Sequence, residues 1–221
     1  MLRILIADDH ELARRGIRAL LESHPGWEVC GEAEDGRDAV RLAASTKPHL
    51  VLLDIGMPNL NGLEAARQIL AAMPGVAVLI LTMHDSDNVV REVLRAGARG
   101  YVLKSDAGRD LVTAVEALQR QRTFFTTRVS QMVLDGFLDR ERKDARGEAI
   151  DDTAPDPLTS REREVIQLLA EGRSSKEVAV TLNLSVKTAE THRTNLMRKL
   201  GLHSVADLTR YAVRNGIVQV F

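Results

Sequence analysis

The chain has one cysteine, Cys30, so neither an internal disulfide framework nor a cysteine-based zinc cluster is open to it. Aromatic residues make up 3% of its 221 positions, and no apolar run approaches the roughly 20 residues that cross a bilayer. Membrane spans are therefore not expected. The opening MLRILIADDH already holds carboxylates where a secretory signal would still be apolar. Together with the single thiol, this predicts a cytoplasmic protein with no membrane partner. What remains, 44% hydrophobic and 28% charged, is ordinary for globular domains, and the length favours two of them.

A strong charge of either sign is also missing, since the formal net value is −1. The balance is unevenly shared. Residues 1–122 hold 15 Lys and Arg against 17 Asp and Glu, residues 123–156 hold 5 against 8, and residues 157–221 hold 10 against 6. The basic end is the better polyanion binder.

Residues 1–122 alternate short apolar runs with longer periodic ones, the βαβ pattern of a parallel sheet covered on both faces. Strands are predicted at Arg3–Ala7, Trp27–Ala33, Leu50–Asp54, Ala77–Thr82 and Gly100–Lys104. Helices are predicted at Glu11–Ser23, Gly36–Ser45, Gly62–Ala72, Asp87–Ala96 and Ala107–Arg120. The third and fourth strands are apolar almost throughout, whereas WEVCGEAED alternates and suits an edge. The expected fold is a five-stranded doubly wound α/β domain with strand order 2-1-3-4-5. Residues 123–156 read as a linker with a short helix in TTRVSQMVLDGFL, because the stretch that follows is charged and holds Pro155.

Residues 157–221 read as a small all-α domain. Thr159 with Glu162 makes a capping box ahead of a helix that Gly172 stops. Then come Ser175–Leu182, a turn at Asn183, SVKTAETHRTNLMRKLG capped by Ser185, and a last helix over Ser204–Asn215. A short helix, a tight turn and a longer basic helix make a helix-turn-helix.

Four strand ends carry chemistry. Asp9, Asp54, Thr82 and Lys104 each close an apolar run, and in an open parallel sheet that carboxyl edge is where ligands bind. A carboxylate and a phosphoryl group repel each other, so their reaction needs a divalent cation. Asp9 and Asp54, with Asp8 through water, would supply the oxygen ligands that magnesium prefers. Asp54 ends the central strand and is the expected nucleophile. Lys104 would neutralise one phosphoryl oxygen and Thr82 would donate to another.

On the motifs ADD at Asp8 and Asp9, DIGMPNLNG around Asp54, Thr82, and GYVLK ending at Lys104, residues 1–122 resemble the receiver domain of two-component response regulators. The resemblance implies phosphoryl transfer from a sensor histidine kinase to Asp54, with Asp8, Asp9 and the Gly56 carbonyl holding Mg2+. It also implies that Thr82 and Tyr101 relay the phosphorylated state, and that Gly56 and His84 tune phosphoryl lifetime. Such a chain catalyses only its own phosphorylation and dephosphorylation. A haloacid-dehalogenase-like phosphatase would share Asp, Thr, Lys and magnesium but needs a second Asp two residues after the nucleophile, where this chain has Gly56. The other rival is an interaction module whose helical end binds protein.

In the basic helix, Ala189, Leu196, Met197 and Leu200 should face the core, leaving a groove-facing side. Glu190 suits a cytosine amino group, and Thr191 and Thr194 suit a thymine methyl, with Arg198 also outward. Lys187, Thr188, His192, Arg193, Asn195 and Lys199 are candidates for DNA backbone contacts. LTSREREVIQLLAEG, SSKEVAVTLNLSVKTAETHRTNLMRKLG and HSVADLTRYAV resemble the LuxR-type helix-turn-helix of the NarL/FixJ subfamily. That resemblance implies a DNA-bound homodimer paired through Ala206, Leu208, Thr209 and Val213. The resting receiver is expected either to hinder dimerisation or to mask the recognition helix.

Overall fold

The computed structural model describes residues 1–83, 87–125, 129, 131 and 158–218. His84, most of the expected short helix and the linker lie outside them. Among the described residues, five strands form one parallel sheet in the order β2-β1-β3-β4-β5, with β1 Leu2–Ala7, β2 Trp27–Ala33, β3 Leu50–Asp54, β4 Ala77–Thr82 and β5 Gly100–Leu103. Helices α1 (Glu11–Glu22), α2 (Gly36–Thr46), α3 (Gly62–Ala72), α4 (Asp87–Arg95) and α5 (Ala107–Gln119) alternate with them. The predicted fold and strand order stand.

Alternation of side chains along each strand builds two cores. Leu5, Val51, Leu53, Val78 and Ile80 pack with α2, α3 and α4 on one face, while Ile4, Ile6, Leu52, Leu79 and Leu81 pack with α1 and α5 on the other. Each such fully buried aliphatic side chain contributes about 2 kcal/mol of burial free energy. β2 alone shows the mixed exposure of an edge.

Two departures from the sequence reading have plain causes. β5 stops at Leu103, and Lys104 begins a 3-10 turn over Lys104–Asp106, so the lysine leaves the strand direction as α5 starts. The receiver's packing also continues past Arg122. The free side of β5 is taken by Phe124, which accepts from the Tyr101 amide and donates to the Arg99 carbonyl at 3.0 Å each, and Val129 is fully buried in the same core.

One glycine permits the approach on which the site depends. A Cβ at Gly62 would lie 2.0 Å from the Asp54 carbonyl oxygen, so only glycine lets α3 begin against the end of β3.

The second domain is α6 (Ser160–Ala170), α7 (Ser175–Thr181), α8 (Val186–Lys199) and α9 (Val205–Arg214), packed around Val165, Ile166, Leu168, Leu196 and Leu208. Thr159 and Glu162 form the predicted capping box, Ser185 caps α8, and Ser204 caps α9. Each cap contributes about 1 kcal/mol. Asn183, at φ 52°, makes the tight turn between α7 and α8.

Candidate functional site

Strand register brings the four chemical positions together. Ala7 pairs with Leu53, Asp54 with Leu81, and Thr82 with Leu103, so the residues that end or follow these strands share one edge of the sheet. Asp8 and Thr82 are fully buried, Asp54 is 3% exposed, and Asp9 is half-buried. Lys104 Nζ stands 2.7 Å from Asp8 Oδ2 and 2.8 Å from Asp54 Oδ2. Asp8 therefore meets the ammonium directly. Its carboxylate lies fully buried in the innermost part of the site.

The electrostatics follow from two buried carboxylates on one ammonium, with a third, Asp9, beside them. Burial pushes the Asp54 pKa above the ordinary carboxylate value; Lys104 and the Gly56 amide pull it back without cancelling the rise, to which Asp8 adds. Burial alone would lower the Lys104 pKa, but Asp54 and Asp8 outweigh it and raise the value. Lysine is thus held charged while negative charge remains in excess. Asp8 Oδ2 and Asp9 Oδ1 are buried, with the Lys104 ammonium 2.7 Å from the first and a His10 ring nitrogen 2.8 Å from the second. Carboxylate oxygens of Asp8, Asp9 and Asp54 and a ring nitrogen of His10 all lie within 4.8 Å of one another. Clustered, under-satisfied hard oxygens fit a small divalent cation such as magnesium.

Tyr101 is fully buried in the core. Two supporting residues were missed from sequence. His10, immediately after the acidic pair, contacts Asp9 and donates its amide to Asp8 Oδ1 at 2.9 Å. Arg14 is 6% exposed and donates to the Asp8 carbonyl at 2.6 Å and to Glu34 at 2.8 Å, bracing the end of β1. Its signal was present, because Arg14 occupies a core-facing slot of α1 in line with Ile17 and Leu21.

On α8, Ala189 and Leu196 are buried with Met197 and Leu200 packed behind them. Lys187, Thr188, Glu190, Thr191, Thr194, Asn195, Arg198 and Lys199 are exposed, and His192 and Arg193 are half-buried. Among the described residues, the receiver does not bury this face. Lys199 is drawn 2.7 Å from Glu162, and the Thr191 hydroxyl donates back to the Lys187 carbonyl at 2.8 Å. On α9, Ala206 and Val213 are exposed and Thr209 is half-buried. Leu208 is 1% exposed within the domain's own core, which corrects its expected place on a pairing face. Helical period puts Leu208 one turn from Ala212, and both turn inward.

The chain thus joins an acidic pocket at the edge of a parallel sheet to a helix-turn-helix. Residues 4–116 match the response regulator receiver domain family and residues 156–212 match the bacterial regulatory proteins of the luxR family. The transcriptional regulatory protein MctR of Rhizobium johnstonii is 37% identical, over 98% of this chain and 95% of that protein. LiaR of Bacillus subtilis is 35% identical, over 99% of this chain and all of its own length (100%). The structure of RcsB from Salmonella enterica serovar Typhimurium, bound to promoter rprA in the presence of the phosphomimetic BeF3−, is similar at a TM-score of 0.59 and 30% identity, covering 95% of this chain and 97% of that one. The chain belongs to the two-component response regulators of the NarL/FixJ type, receiver first and LuxR-type helix-turn-helix second. It is a DNA-binding transcription regulator. Among the described residues, no helix is long and apolar enough to cross a membrane.

Proposed function

We propose that this regulator accepts a phosphoryl group on Asp54 from a cognate sensor histidine kinase, with Mg2+, and that the modified chain binds DNA as a homodimer. The carrying observation is Lys104 Nζ, 2.8 Å from the Asp54 carboxylate and beside two further acids. Asp8, Asp9, Asp54 and the Gly56 carbonyl would hold the ion. Magnesium, when bound, supplies the positive charge that lets two anions meet. An Asp54 oxygen forms the new O–P bond as the donor's N–P bond breaks, and the departing imidazole keeps the electron pair and takes a proton from solvent. Lys104 pairs with one phosphoryl oxygen. The Thr82 hydroxyl donates to another, and its movement frees the space into which the Tyr101 ring turns.

The change biases a pre-existing equilibrium between chain arrangements. Outward side chains of α8, Glu190, Thr191, Thr194 and Arg198 among them, face the groove, while Lys187, Thr188, His192, Arg193, Asn195 and Lys199 meet the strand backbones. Ala206, Thr209 and Val213 on α9 pair the protomers. The chain turns over no substrate beyond its own acyl phosphate.

Asp54→Asn is the direct test. Acetyl phosphate with magnesium labels the parent and leaves this variant unlabelled, read on a phosphate-affinity gel; persistent labelling would refute the assignment. Rapid hydrolysis of unrelated phosphomonoesters would favour the phosphatase instead.

A further inference from the structure

His10 brings an imidazole nitrogen to a cluster whose other candidate ligands are carboxylate oxygens. A ring nitrogen of His10 stands 2.8 Å from Asp9 Oδ1 and 3.3 Å from Asp8 Oδ1, and one ligand atom from each of Asp8, Asp9, His10 and Asp54 lies within 4.8 Å of the other three. The backbone sets this placement. His10 precedes α1 as its N-cap residue at φ −90° and ψ 106°, its side chain makes no capping bond, and its amide donates to Asp8 Oδ1 at 2.9 Å. The side chain is 55% exposed, so core packing does not claim the ring.

Spacing decides what such a nitrogen is able to do. Neighbouring ligands of one octahedral ion at bond lengths of about 2.1 Å stand about 3.0 Å apart, and those of a tetrahedral ion about 3.4 Å apart. The two His10 separations, 2.8 and 3.3 Å, are of that size. Imidazole and carboxylate are thus spaced to meet one cation side by side. Buried Asp8 and Asp54, offset by Lys104 alone, supply negative charge that any divalent ion answers. Nitrogen discriminates among such ions, because magnesium prefers hard oxygen and retains water, whereas zinc binds imidazole well.

We propose that His10 is a metal-selectivity residue: it adds an imidazole ligand for Zn2+ among the acids, so that zinc competes with magnesium for the pocket and holds off phosphoryl uptake. A zinc ion with four protein ligands keeps no open position for phosphate. The inference rests on the reading of this pocket as the magnesium and phosphoacceptor site.

The test measures the zinc and magnesium dissociation constants of the full-length chain separately, zinc by competition with a colorimetric chelator and magnesium by titration calorimetry. His10→Gln is expected to weaken zinc by about tenfold or more, the scale on which even the partners of metal ligands act, and to weaken magnesium much less. Asp9→Ala weakens both ions. In excess magnesium, added zinc slows labelling of the parent by acetyl phosphate, and correspondingly more zinc is needed to slow His10→Gln. Unchanged zinc affinity in His10→Gln overturns the proposal, as does an equal loss of both ions, and zinc binding that survives Asp9→Ala lies outside the pocket and overturns it as well. A parent that never labels refutes the phosphoacceptor reading, whereas the ratio of the two affinities decides the role of His10 independently of it.

Discussion

Lys104 Nζ lies 2.8 Å from Asp54 Oδ2, although 50 residues of chain separate the two and each belongs to a different strand-to-helix junction. The same ammonium is 2.7 Å from Asp8, so one cation screens two buried carboxylates. Breaking such a pair from one side leaves uncompensated charge. Lys104→Met is therefore expected to destabilise the metal-free receiver at pH 7 by about 3 kcal/mol in urea unfolding.

Magnesium relieves the same excess from the other direction. At a concentration 100 times its dissociation constant, the ion stabilises the parent by about 2.7 kcal/mol through mass action. Asp9→Ala loses most of that gain, which thermal melts with and without magnesium would reveal as a collapsed difference between the two curves.

In the second domain, burial raises the Glu162 pKa, but Lys199 and the Thr159 cap outweigh it and lower the value below the ordinary 4.5. A depressed carboxylate contributes stability that is present above 4.5 and disappears as pH falls through the lower folded value. Glu162→Gln should flatten the acid limb of the helix-turn-helix unfolding curve, followed by circular dichroism. An unchanged acid limb would exclude Glu162 as its source.

Close approach at the end of β3 is equally testable. Gly62→Ala places a methyl 2.0 Å from the Asp54 carbonyl oxygen, a backbone atom that cannot rotate away. The expected cost is about 3 kcal/mol of receiver stability, because overpacking displaces the chain that carries the acidic pocket.

On DNA, Lys187→Ala is expected to weaken binding across all sequences and to reduce the slope of log affinity against log salt by about 1. Glu190→Ala should instead alter base preference at one position. A binding titration at several salt concentrations and a selection from random sequences separate the two outcomes.

Much of this was legible from local order. Thr159 with Glu162, Ser185 and Ser204 announce helix starts because capping is a matter of three or four adjacent residues. Asp54, Thr82 and Lys104 were legible for a different reason, since parallel strands of similar length bring their carboxyl ends to one edge whatever their separation in sequence. Leu208 was misplaced because the resemblance pointed to a pairing helix without saying which side of α9 turns inward. Arg14 was overlooked because an arginine on a helix reads as surface until something is seen to bury it.

Sequence alone therefore determined the two folds, their order and the pocket's chemical parts, all of which follow from short-range periodicity and the obligatory geometry of a parallel sheet. Only the tertiary structure decided how the domains meet. Gln167 and Asn61 are 106 positions apart and carry no periodic or motif signal, and a hydrogen bond between them depends on burial that neither segment produces by itself. Asp8 joining Lys104 was settled in the same way, by the desolvation of both groups and the few directions in which a buried ammonium is able to find its counter-charge.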